Sequence, residues 1–180
     1  MELIKTNLDG VLVIKPDVFA DERGYFFESY NEEKFYEKGL TSSFLQDNES
    51  KSRKNVLRGL HFQVPPFEQG KLVRVMWGAA LDVAVDLRKH SPTFGQWTAA
   101  TLSRENKQML WIPPGFAHGF VTLEDDTVFF YKCTNVYNKE SERSILWNDP
   151  DLNIEWGVKD PVISEKDRIA ISFREFDSPF

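Results

Sequence analysis

The apolar residues of this chain come in short runs, and each run is followed by a turn signal. "VLVIKP", "GYFFESY", "VLRGLHFQ", "KLVRVMWG", "ALDVAVDL", "QWTAATLS", "QMLWIPPG", "HGFVTLED" and "TVFFYKCTNVY" are rich in β-branched and aromatic residues, as strands are. In "ALDVAVDL", Leu81, Val83, Val85 and Leu87 share one face and Asp82, Ala84 and Asp86 the other, the two-residue period of a strand. Helical pattern is scarce. "NEEKFYEKG", residues 31–39, has an Asn cap, an acidic first turn and a terminating Gly, and reads as one short helix; a second is expected in the last forty residues, where the signals are weak. Many short strands with tight turns predict an all-β fold, a jelly-roll sandwich or barrel with a few short helices. A Greek-key or lipocalin-like barrel is the alternative that pattern alone leaves open.

With 180 residues, 41% of them hydrophobic, the chain can bury one substantial core, so residues 1–180 are expected to form a single domain. A formal charge of -6, spread without long blocks, gives no platform for nucleic acid, although a local basic pocket could take a small anion. Cys133 is the one cysteine, which leaves no intramolecular disulfide or cysteine-based zinc site and permits a reducing compartment. No secretory signal pattern and no membrane-spanning apolar run is present, and the expected location is cytoplasmic.

Three histidines stand at 61, 90 and 118. His90 falls in the turn-like "RKHSPTFG", whereas His61 and His118 fall in strand patterns, where a lone histidine is usually a hydrogen-bonded structural group. The neighbours of His61 argue for more. Arg58, His61 and Lys71 fall on two successive strands expected to be neighbours, and cations clustered near a histidine are costly in a core unless an anion compensates. Regular alternation puts Arg58 and His61 on opposite faces. Gly59 between them could mark a bulge that redirects one side chain.

Two strand histidines also raise a metal site. The metal-binding cupins are similar in layout, with His-x-His and a later Glu in a first motif and Pro-x-Gly-x-x-His in a second. Pro113, Gly115 and His118 keep the second, but Gln63 breaks the first, and Lys71 would repel a cation. The surviving groups suit proton abstraction beside a carbonyl, which needs a base titrating near neutrality, a cation for the enolate oxygen and an acid to return a proton. His61, Lys71 and a tyrosine could supply them. A carboxylate should orient the histidine, but the residues alone do not say which.

"VLRGLHFQ", "QGKLVRVMWGAALDVAVDLRKHSPTFGQW", "WIPPGFAHGF", "YKCTNVY" and "SEKD", in that order over almost the whole chain, resemble the dTDP-4-dehydrorhamnose 3,5-epimerase family. The resemblance implies a metal-free, cofactor-free cupin jelly roll, dimeric, acting on a dTDP-4-keto-6-deoxy sugar. By motif, it places the base at His61, its orienting carboxylate at Asp167, the enolate-stabilising lysine at Lys71 and the proton-donating tyrosine at Tyr131. Tyr137 matches the tyrosine that stacks on thymine. Arg23, Glu28, Gln46, Asn48, Arg58, His118, Glu142 and Lys166 match further substrate-binding positions, and the Arg23 segment reaches the partner subunit's site in the family. The expected reaction is epimerisation at C3 and C5 of dTDP-4-keto-6-deoxy-D-glucose on the way to dTDP-L-rhamnose. A mono-epimerase or a 3,4-ketoisomerase of a related pathway is the near alternative. A metal-dependent cupin and a non-enzymatic sugar-nucleotide-binding cupin are the remote ones.

Overall fold

The computed structural model describes residues 1–180. Its strands are β1 (Glu2–Lys5), β2 (Leu12–Lys15), β3 (Val18–Asp21), β4 (Gly24–Phe27), β5 (Gln46–Ser52), β6 (Leu57–Gln63), β7 (Lys71–Trp77), β8 (Ala79–Asp86), β9 (Trp97–Ser103), β10 (Met109–Ile112), β11 (Phe116–Thr122), β12 (Thr127–Cys133) and β13 (Glu142–Ser144). They form an antiparallel six-stranded sheet in the order β1-β2-β10-β7-β12-β5, a five-stranded sheet in the order β13-β6-β11-β8-β9, and the separate hairpin β3-β4. This is the jelly-roll sandwich that the short runs predict.

Alternation along each strand divides the apolar residues into three layers. Val73, Val75, Leu110, Ile112 and Phe129 of the larger sheet meet Ala80, Ala84, Leu102, Phe116 and Phe120 of the smaller one in a core between the sheets. The outer face of the smaller sheet, with Leu57, Phe62, Val83, Val85 and Val121, is covered by Ile145, Leu152, Trp156 and the rest of the C-terminal segment. Helix α1 (Glu32–Glu37) lays Phe35 on Ile14, Leu72, Met109 and Trp111 of the larger sheet. Asn31 caps α1 by accepting from the Lys34 amide, as its sequence signals require. The second helix, α2, is one turn, Glu165–Arg168, capped by Ser164, and the rest of the C-terminal forty residues is mostly irregular chain held down by its apolar side chains.

Two expectations about β6 turn out differently from one another. β6 and β7 are not neighbours: β6 bonds to β11 and β13, β7 to β10 and β12, so the intervening loop carries the chain from one sheet to the other. Arg58 and Lys71 therefore face each other's sheets across the sandwich instead of lying side by side. The bulge at Gly59 is present. His61 pairs with His118 and Arg58 with Phe120, so three steps on β6 match two on β11. Gly59 has φ of +143°, and a Cβ there would lie 2.5 Å from the Cα of Gly119. Only glycine fits that approach, and the extra residue brings Arg58 and His61 to the same, inner face.

At the end of β8, Asp86 is fully buried. Burial alone would raise its carboxyl, but the Arg88 guanidinium, the Ser91 and Thr93 hydroxyls and the Arg88 amide all donate to it and bring its pKa down to about 2. A depressed carboxyl stabilises the fold above its unfolded pKa of about 3.9, and that stability is lost as pH falls toward 2. Asp86→Asn should cost about 2 kcal/mol at pH 7 and flatten the acid limb of urea-unfolding stability between about pH 4 and pH 2. A parent-like acid limb in the variant would refute this assignment.

Candidate active site

Inward-facing positions near one end of the sandwich are polar. β6 contributes Arg58 and His61, β11 His118, β7 Lys71 and β12 Tyr131, and together with Asp167 and Lys166 of α2 they line a cleft of about 440 Å³. Val56, Leu57, Phe120, Val162 and Ile163 supply its apolar walls. A second lobe of about 280 Å³ shares His61, Lys71 and Tyr131 and adds Gln46, Asn48, Gln63, Tyr137 and Glu142. The two lobes thus meet at the three residues expected to do the chemistry.

His61 is joined to Asp167 by a hydrogen bond of 2.6 Å between Nε2 and Oδ1. Asp167 is almost fully buried, which would raise its carboxyl. The His61 contact, the Ser164 hydroxyl and the Gly59 amide outweigh that and hold it below the usual carboxylate range. It stays anionic at neutral pH, so Nε2 carries the proton and Nδ1 is left to accept one.

Burial pushes the Lys71 ammonium down from the ordinary lysine value, and Cys133, Asp82 and Glu142 pull it back up. Its Nζ lies 3.5 Å from the carbonyl oxygen of His61 and 6.0 Å from the centre of the Tyr131 ring. Burial raises the Tyr131 phenol, which keeps it protonated at neutral pH and able to donate a proton. Arg58 is held by Ser52, whose Oγ accepts from Nε at 3.3 Å and Nη2 at 3.1 Å.

Beneath these groups is a residue not expected from the sequence. Asp82, fully buried on β8, makes a 2.7 Å contact to Nε2 of His118 through Oδ1, while its Oδ2 has no partner. Burial raises the Asp82 carboxyl and lowers His118, each opposed by the other. The signal was an aspartate sharing a strand face with Ala84 amid apolar neighbours; what it lacked was knowledge that this face turns inward.

Around the second lobe, Glu142 accepts from Lys166 Nζ at 2.6 Å and from the Tyr137 hydroxyl at 3.0 Å. Gln46 accepts from the Tyr137 amide at 2.8 Å and donates to Asn48 at 3.0 Å. Arg23 and Glu28 stand apart. Arg23, its side chain 85% exposed on the β3-β4 hairpin, pairs with Asp21, and Glu28 pairs with Lys34, neither of them lining the cleft of its own chain. No three His, Cys, Asp or Glu side chains converge anywhere in the structure.

The profile of the dTDP-4-dehydrorhamnose 3,5-epimerases matches residues 5–175. The chain belongs to that family. The Shigella flexneri dTDP-4-dehydrorhamnose 3,5-epimerase is 56% identical to it over 178 residues, 98% of each protein. The crystal structure of the Elizabethkingia anophelis enzyme of the same name superposes with a TM-score of 0.93 at 52% identity, covering 97% of both chains. A Legionella pneumophila 3,5-epimerase solved with dTDP-4-keto-L-rhamnose gives 0.94 at 48% identity, covering 98% of this chain and 94% of that one. This member of the 3,5-epimerase family is accordingly an isomerase of dTDP-linked deoxysugars with the family's β-rich, cupin-like fold.

Of the anions that raise Lys71, Asp82 is the most deeply buried. Asp82→Asn should therefore move the alkaline limb of the kcat–pH profile to lower pH, since a lysine with less anionic support loses its proton sooner. Burial holds the Tyr131 phenol above its ordinary value. An unmoved limb would mean that Asp82 does not support the Lys71 charge.

Proposed function

We propose that the cleft inverts C3 and C5 of dTDP-4-keto-6-deoxy-D-glucose, one carbon at a time, to give dTDP-4-keto-L-rhamnose for dTDP-L-rhamnose synthesis. The observation that carries this reading is that the base and the acid stand on opposite sheets: His61 on β6, Tyr131 on β12, both lining the same two lobes. Inversion requires a proton to leave one face of the ring carbon and return to the other.

Nδ1 of His61 takes the proton from the carbon beside the C4 ketone, and Asp167 steadies the imidazolium that forms. The C–H electrons move into an enolate whose oxygen is neutralised by Lys71, worth more in this desolvated floor than in water. Tyr131 then protonates the opposite face. His61 releases its proton and Tyr131 regains one by exchange with solvent before the second carbon reacts. The C4 ketone itself acidifies both C–H bonds, so the sequence of steps calls on no redox cofactor or metal.

Tyr137 offers its half-exposed ring to thymine, and Arg58, His118, Gln46, Asn48, Glu142 and Lys166 hold the rest of the nucleotide sugar. Residues 1–180 act as one epimerase domain, since the groups lining the cleft run from Gln46 to Asp167. The β3-β4 hairpin leaves Phe19 67% and Phe26 70% exposed beside Arg23, which supports a homodimer in which this hairpin reaches the partner's cleft. A cytoplasmic location accords with the single buried thiol, Cys133.

The test is proton exchange from the substrate in deuterated water, followed by NMR. His61→Asn should abolish exchange at both C3 and C5 while leaving dTDP affinity near that of the parent; retained exchange would remove His61 as the base. Tyr131→Phe should slow epimerisation by about 10²–10⁴-fold and the initial exchange by less. Exchange confined to one carbon in the parent protein would favour the mono-epimerase, and a ketone moved to C3 the ketoisomerase.

A further inference from the structure

Gln63 is 5% exposed, yet its amide makes no contact with the catalytic groups. Nε2 donates to the carbonyl oxygens of Phe67 at 2.6 Å and Val136 at 3.1 Å, and Oε1 accepts from the Asn138 amide at 2.8 Å. Three of its four hydrogen-bonding positions are filled, all by loop backbone. Val136 and Asn138 are the residues on either side of Tyr137. The Tyr137 amide itself donates to Gln46. One side chain from β6 thus grips the chain immediately before and after the aromatic ring.

The same two loops are tied again nearby: Gln69 donates to the Asn135 carbonyl at 2.7 Å, and Gly70 and Thr134 bond to each other. Those contacts hold the loops together but lie upstream of Tyr137. Only Gln63 brackets the ring's own backbone. Tyr137 is 53% exposed, so packing does little to fix its orientation, and its hydroxyl reaches only Glu142. Ring placement therefore depends on the backbone beneath it.

We infer that Gln63 is a positioning residue for nucleotide binding: by holding Val136 and Asn138 it pre-orients the Tyr137 ring as the platform on which the thymine of the substrate stacks. This rests on the reading of Tyr137 as the base-stacking residue given above. A ring already set in place loses less freedom when the nucleotide arrives, and that saving appears as affinity. The ring carbons that react are served by other residues, so the effect belongs in binding and not in the proton transfers.

The experiment is a double-mutant cycle on dTDP binding by calorimetry, with steady-state kinetics and thermal melting alongside. Gln63→Met keeps the length and loses all three hydrogen bonds. It should raise the dTDP Kd and the substrate KM roughly tenfold while kcat changes much less. Tyr137→Ala should itself weaken dTDP binding, and adding Gln63→Met to it should cost little more, because there is no longer a ring to place. Gln63→Glu, which keeps the acceptor but sets a carboxylate against two carbonyls, provides the same comparison if the Met variant does not fold.

Three results would overturn the inference. Fully additive losses would show that Gln63 acts on the fold at large, and unchanged dTDP affinity in Gln63→Met would show that the ring needs no such support. If Tyr137→Ala binds dTDP like the parent, the stacking reading itself fails, and this inference with it. The second and third results are distinguished by which single variant stays silent.

Discussion

The hydrogen bond between His61 and Asp167 joins the two parts of the molecule that have least in common. His61 sits on β6 of the smaller sheet, paired with His118 on the central strand β11. Asp167 sits in a single helical turn within a mostly irregular C-terminal segment. That segment earns its place by covering the outer face of the same sheet with Ile163, Phe173, Phe176 and other apolar side chains. Its backbone is tied at Val56–Val162 and Ile145–Ile171. The His61–Asp167 pair is thus a by-product of how the sandwich closes its second core. The Gly59 bulge completes the arrangement, because without the extra residue His61 and Arg58 would face apart.

The floor of the cleft runs against the usual economy of a core. Lys71, Asp82 and His118 are each under a tenth exposed, and each is shifted toward its neutral form by burial. Several kcal/mol per buried ion is the ordinary penalty, repaid in part by their mutual attraction. Such a floor is poorly suited to stability and well suited to a substrate that becomes an enolate. Lys71 is near the Asp82 and Glu142 carboxylates but makes no direct ion pair with either, and an enolate oxygen would supply one.

Much of the fold was legible because strands with an apolar stripe announce themselves, as β7, β8 and β12 do. β5, "QDNESKS", did not: it has no apolar residue, and its alternation is between Gln46, Asn48 and Ser50, turned toward the cleft, and Asp47, Glu49 and Lys51, turned to solvent. Its identity as a strand comes from pairing with β12 over seven residues, a tertiary fact that local pattern does not carry. At the site, the residue types and Gly59 pointed to a base and a cation, and the family resemblance supplied Asp167 and Tyr131. Sequence order misplaced β6 beside β7, since nothing local tells a hairpin from a crossing between sheets. Asp82 and Gln63 were visible as residues but not as participants, because their parts depend on which face is inside and which loops come near.

The central claim is that one His61–Asp167 pair serves both carbons. It is tested most directly by measuring deuterium exchange at C3 and at C5 separately in Asp167→Asn, under single-turnover conditions with saturating substrate. If one pair does both abstractions, the two exchange rates fall together, by roughly 10²–10⁴-fold, while dTDP affinity holds. Exchange at the parent rate, or a loss confined to one carbon, would contradict it.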